Sequence, residues 1–144
     1  MENKSITIRA TVSAPVEKVW KCWTSPEDIV GWNHASEDWH TTHAVNDLQV
    51  GGKFSYRMEA KDGSMGFDFW GIYDKMILHQ QIDNTLGDGR KMSVTFLSAG
   101  NQTEVVESFE TEETHPIEMQ RVGWQAILDN FKKYAESTLS PDTK

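Results

Sequence analysis

The chain has 144 residues, of which 14 are basic and 22 acidic, giving a net charge of −8. That length suits one domain with a substantial core, and that sign repels phosphate backbones and anionic membrane surfaces, so nucleic acid is not an expected partner. No apolar run is long enough to insert in a membrane, and Met1 to Ser13 lacks the basic start and apolar centre of a signal peptide; the expectation is a single cytoplasmic domain over residues 1–144, ordered from about 5 to 138, with its one cysteine, Cys22, reduced.

Ser5 to Ser13 alternates, with Ile6, Ile8, Ala10 and Val12 on one face and Thr7, Arg9 and Thr11 on the other. That pattern predicts a half-buried strand. Ser13-Ala14-Pro15 then opens a helix, with Ser13 or Ala14 as cap and Pro15 in the first turn. Its apolar stripe is Val16, Val19, Trp20 and Trp23. Ser25-Pro26-Glu27-Asp28 repeats the device and starts a second short helix toward Trp32. Asn33 to Asp47 reads as irregular, and Gly51-Gly52 marks the start of a strand.

Asp62-Gly63 fits a two-residue type I′ hairpin turn. Counting outward sets Met58 against Phe67, Tyr56 against Phe69 and Phe54 against Gly71, an aromatic wall on one face. The other face sets Arg57 against Asp68, an opposite-charge pair. Asp88-Gly89 marks a further turn. Gly100-Asn101, taken as a two-residue loop, sets Phe96 against Val105, Val94 against Glu107 and Met92 against Phe109. This register points Glu107 into an otherwise apolar face. An isolated buried carboxylate is costly, so a partner is expected, from Arg121 or Arg9.

A long helix follows from Ile117 to about Ser137, opened by Thr114-His115-Pro116. Trp124, Ile127, Leu128, Phe131, Tyr134 and Ala135 form its apolar stripe. Gln120, Arg121 and Gly123 interrupt the stripe in its first half. Glycine in a helix interior costs about 1 kcal/mol against alanine, so Gly123 is expected to leave clearance for something close by. Leu139 to Lys144 reads as a polar, frayed tail.

The order of elements resembles the helix-grip fold of the START-like superfamily. Particular stretches resemble the activator-of-Hsp90-ATPase-homologue-like family within it: Ala14-Pro15-Val16-Glu17-Lys18-Val19-Trp20 with Trp32, Asn46 to Met58, Asp62-Gly63, Phe67 to Tyr73, and Gly123 to Phe131. The match runs from Ile6 to about Ser137. The resemblance implies an α+β fold with a strongly bent antiparallel sheet of six to seven strands around a long C-terminal helix, with two short helices after the first strand. It also implies a space between helix and sheet that relatives use for lipids, sterols, polyketides or other hydrophobic molecules, and a minority of them for cyclisation. The Hsp90 connection belongs to one domain of a larger co-chaperone, so chaperone activation does not carry over with the fold.

The candidate chemistry is sparse. His34, His40 and His43, with Glu37 and Asp38, include zinc-ligand types, but at no compact motif spacing, so exposed loop histidines and no metal are expected. Cys22 sits between Trp20 and Trp23 and reads as packing. No serine-histidine-aspartate set, phosphate-binding loop or dinucleotide fingerprint is present, so no cofactor is implied. The leading expectation is a protein that binds a small hydrophobic molecule between the terminal helix and the sheet. Phe54, Tyr56, Phe69, Val94, Trp124 and Ile127 make the expected apolar wall, Gly123 and Gln120 a small polar stretch, Glu107 a polar handle, and Trp32 and Trp39 the mouth. Two other readings are a cyclase- or isomerase-type enzyme with Glu107 as general base, and a chaperone-associated module that binds a protein partner through an exposed apolar patch.

Overall fold

The computed structural model of the chain describes residues 5–137. The polar tail read from Leu139 onward lies outside them. Strand β1 (Ser5–Val12) is followed by α1 (Val16–Thr24) and α2 (Pro26–Trp32). Strands β2 (Trp39–Asn46), β3 (Lys53–Ala60), β4 (Gly66–Ile77), β5 (Gln81–Leu86), β6 (Lys91–Ala99) and β7 (Gln102–Glu110) follow, and α3 (Ile117–Ser137) closes the described chain. This is an α+β fold with one seven-stranded sheet in the order β1-β7-β6-β5-β4-β3-β2. Every pairing is antiparallel. The sheet curls into a half-barrel, and α3 lies against its concave side. No helix among the described residues is long and apolar enough to cross a membrane.

The sheet's inner face follows from alternation. In β7, Thr103, Val105, Glu107 and Phe109 are buried, with half-buried neighbours between them. In β5, Ile82, Asn84 and Leu86 are buried in the same way. The hairpin registers read from the turns are observed: Phe54 opposite Gly71, Tyr56 opposite Phe69 and Met58 opposite Phe67 in β3–β4. In β6–β7, Met92 is opposite Phe109, Val94 opposite Glu107 and Phe96 opposite Val105. Arg57 and Asp68 form the expected cross-strand pair at 3.5 Å.

Three local expectations are corrected. The β3–β4 turn is wider than a type I′ turn, since the Ala60 N–H bonds to the Met65 carbonyl at 3.0 Å and only Gly63, not Asp62, has positive φ. Asp62 instead accepts the Ser64 N–H on its side chain, which supports the turn without a left-handed aspartate. Pro15 is the cap residue of α1, one position before the first turn. Ser13 gives its N–H to Glu136 of α3 at 2.9 Å, fastening the end of β1 to the last helix. The segment read as irregular contains β2, an edge strand. Its register shifts between Thr41 and His43, and that bulge breaks the period-two pattern that would have revealed it.

The core divides around α3. Leu128, Phe131 and Ala135 are fully buried. The Phe131 ring meets Trp23 at 4.8 Å and Trp32 at 4.9 Å, both edge-on. Asp28 ties the three helices together, accepting from Lys21 at 2.9 Å and from the Tyr134 hydroxyl at 2.6 Å. Helix α3 packs mainly on β1, α2 and α1. Over β3 to β6 it stands further off, and a cavity opens there.

Candidate functional site

The cavity has a volume of about 330 Å³ and lies between α3 and the sheet's concave face. Trp124 and Ile127 of α3 form its roof, and strands β3 to β7 form its floor and far wall. Trp124 spans the gap like a beam. Its ring stacks on Phe109 at 3.9 Å and meets Phe69 edge-on at 5.9 Å. Phe54 lies between Tyr56, Phe69 and Tyr73, with centroids 5.2–6.0 Å away. Gly71 permits this packing, because a Cβ there would come within 2.7 Å of the Thr85 carbonyl and 2.8 Å of the Phe54 ring.

Of the residues expected at a site, Trp32, Phe54, Tyr56, Phe69, Val94, Glu107, Trp124 and Ile127 line the cavity. Trp39, Gln120 and Gly123 do not, and each departs for a physical reason. Trp39 stands behind Phe67, 6.0 Å from its ring, and Phe67 rather than Trp39 reaches the cavity. Gln120 is buried and fully engaged. It gives its amide to the Glu112 carbonyl at 3.0 Å and the His115 carbonyl at 2.8 Å, and accepts the Glu112 N–H at 3.0 Å. It therefore fastens the β7–α3 connection to the helix. A Cβ on Gly123 would meet nothing within 4 Å, so no protein neighbour requires a glycine there. Trp32 also differs from its expected place. It is only 3 % exposed, stacks on Trp23, and donates its indole N–H to the Cys22 carbonyl at 2.9 Å. It closes the inner end of the cavity rather than its mouth. The rim is formed by Phe67, Arg90 and Glu112, of which Phe67 is 47 % exposed.

The polar groups of the wall set its chemistry. Glu107 is buried, and neither expected partner reaches it: Arg9 pairs with Glu104 and Arg121 with Glu118, both on the outside. Burial alone pushes its carboxyl up to about 8, since no cation offsets the loss of water. At neutral pH it is chiefly a neutral carboxylic acid, a hydrogen-bond donor. Asn84 is buried on the same inner face, and its Oδ1 has no hydrogen-bond partner among the described residues. The Tyr73 hydroxyl donates to Asn46 Oδ1 at 2.6 Å. Burial raises the phenols of Tyr56 and Tyr73, Tyr73 to about 12, so both stay protonated.

Sequence reasoning missed Asn84, Tyr73, Arg90, Glu112 and Trp23. Asn84 was within reach, because it lies between Ile82 and Leu86 in an alternating run. A polar residue at an inward position carries the same signal that singled out Glu107. Arg90 and Glu112 sit beside turns, where no periodicity marks them. The histidines come to no shared site: His40 and His43 lie on β2 and His34 before it. Among the described residues no three histidine, cysteine or acidic side chains converge as a metal would require. Cys22 is buried in the core under Trp32.

Comparisons with known proteins agree with this architecture. The family model for activator of Hsp90 ATPase homolog 1-like proteins matches residues 13–136. An AHSA1-like protein from Aeromonas hydrophila, solved by NMR, is 44% identical over 94% of each chain, with a TM-score of 0.88. A protein from Cytophaga hutchinsonii is 51% identical over 94% of each chain, with a TM-score of 0.80. One from Chromobacterium violaceum, at 20% identity, covers 92% of this chain and 98% of its own and shares the fold with a TM-score of 0.82. No curated protein matches the chain.

Proposed function

The chain belongs to the activator of Hsp90 ATPase homolog 1-like family, and from that premise we propose that it is a receptor for a small, largely apolar molecule held between α3 and the sheet. The observation that carries this reading is the cavity of about 330 Å³, walled by aromatic rings and holding a few inward polar groups. Volume, apolar lining and sparse polar points are the ordinary properties of a small-molecule site. A cytoplasmic setting goes with its single buried cysteine.

The test uses a neutral apolar fluorophore, N-phenyl-1-naphthylamine, with the full chain. Wild type takes it up. Ile127→Trp, which fills the space under the roof, keeps its circular dichroism and binds at least tenfold more weakly. Equal uptake by both proteins places the site elsewhere. Native mass spectrometry of protein recovered from its own host then identifies the retained molecule.

A second reading is catalytic. Glu107, with its carboxyl near 8 in an apolar-walled pocket, has the property of a general acid or base in cyclisation or isomerisation. Once a substrate is in hand, unchanged turnover in Glu107→Gln removes it from any mechanism. The protein-interaction reading calls for a closed interior, and the open cavity weighs against it.

A further inference from the structure

Two polar side chains stand in the cavity wall with no hydrogen bond to either from the described residues. Glu107, 6 % exposed, lies on β7 opposite Val94, and Val94 lies opposite Ile82 of β5. Asn84, 5 % exposed, lies one inward position further along β5, opposite Met92. The two are therefore separated by two strand spacings and one two-residue step, roughly 10–12 Å between Cα atoms. Both residues line the cavity, and this separation is within reach of a molecule the length of a bicyclic ring. One amide group is too short to reach both. Polar groups buried without partners are costly, and the apolar neighbours Val94 and Ile82 show that the fold itself does not need them there.

We propose that the cavity selects an uncharged, bicyclic-sized molecule with polar groups at opposite ends: an acceptor oxygen bonded by the Glu107 carboxyl as donor, and a hydroxyl or N–H given to Asn84 Oδ1. This rests on the cavity being a receptor site. The charge state of Glu107 supports it, since burial holds the acid neutral below about pH 8. The other titratable groups facing the cavity are Tyr56 from β3, Tyr73 from β4, Arg90 ahead of β6 and Glu112 after β7. Arg90 is held by Asp88 at 2.8 Å, and Glu112 is held by His115. The helices contribute Trp23, Trp32, Trp124 and Ile127, none of which ionises.

The experiment is calorimetric titration of the full chain with four probes: tetralin, 6-(hydroxymethyl)-1-tetralone, the methyl ether of that alcohol, and 2-aminotetralin as a cation. At pH 6.5 the hydroxymethyl ketone should bind at least tenfold more tightly than tetralin, and that advantage should shrink several-fold by pH 9. Glu107→Gln, which still donates, should keep the advantage and lose its pH dependence. Asn84→Leu should bind the alcohol and its ether alike. If tetralin binds as well as the ketone, the selective wall is overturned and the receptor reading stands. If the amine binds best, Glu107 acts as a carboxylate and the proposal is wrong. If no probe binds, tetralin included, both readings fall.

Discussion

Phe131 and Gly123 sit about two turns apart on α3, and their surroundings differ. Around Phe131, α1 and α2 pass beneath the helix and bring Trp23 and Trp32 against it. Around Gly123 nothing lies within 4 Å of where a Cβ would be. The two short helices account for the difference, because they fill one end of the half-barrel and leave the other to Trp124 and Ile127. One helix is thus an anchor where it has support and a roof where it has none. Deletions should therefore be severe at the anchored end and mild at the roof, while effects on ligand should follow the opposite order.

The sharpest way to break that contrast is Phe131→Ala. Removing a fully buried ring from the anchored end should cost about 3–5 kcal/mol, read by urea denaturation. A loss below about 1 kcal/mol would mean the anchored end is no tighter than the roof. Next comes the pH dependence of Glu107. In the unfolded chain its carboxyl ionises near the ordinary 4.5, and in the fold it stays protonated to about 8. Across that window the unfolded chain binds fewer protons, so stability is fully present below 4.5 and declines as pH rises toward 8. Glu107→Gln should remove this slope and be about 2–3 kcal/mol more stable than wild type at pH 8.5, less than the full shift implies because water reaches the cavity. Parallel curves for the two proteins would place Glu107 in solvent.

Smaller effects belong to the first turns of α3. Gln120→Leu strips three hydrogen bonds from the β7–α3 connection and should cost about 1–2 kcal/mol, with uptake of N-phenyl-1-naphthylamine unchanged. A matching loss of uptake would make the connection part of the site. Gly123→Ala should stabilise by about 0.5–1 kcal/mol, since the helix gains an alanine and the methyl group meets open space. Destabilisation would show that the space beside it is filled in solution.

Much of the fold was legible because strand partners follow from turns. Asp62-Gly63 and Gly100-Asn101 each fixed a register, and through it which residues share the inner face. Glu107 was found by that route. What stayed hidden was set by distant parts of the chain. Nothing local in Gln120 tells a ligand-facing amide from one that closes a loop, because its partners lie at Glu112 and His115. Trp32 was legible as an aromatic near the site, yet its depth depends on Trp23 and Phe131. The left-handed residue in the β4–β5 turn is His79, where a sequence reader looks for glycine, so β4 extends further than its apolar run suggests.

The Tyr73 hydroxyl in the cavity wall has a direction. Tyr73 gives its hydrogen to Asn46, and the Asn46 amide gives one to the Thr24 carbonyl at 2.6 Å, where α1 ends. Both hydrogens of the relay point away from the cavity. At its inner end the relay offers only the lone pairs of the Tyr73 oxygen. For Tyr73 to donate inward, it must give up its bond to Asn46. The polarity of this part of the wall is thereby written at the end of a helix.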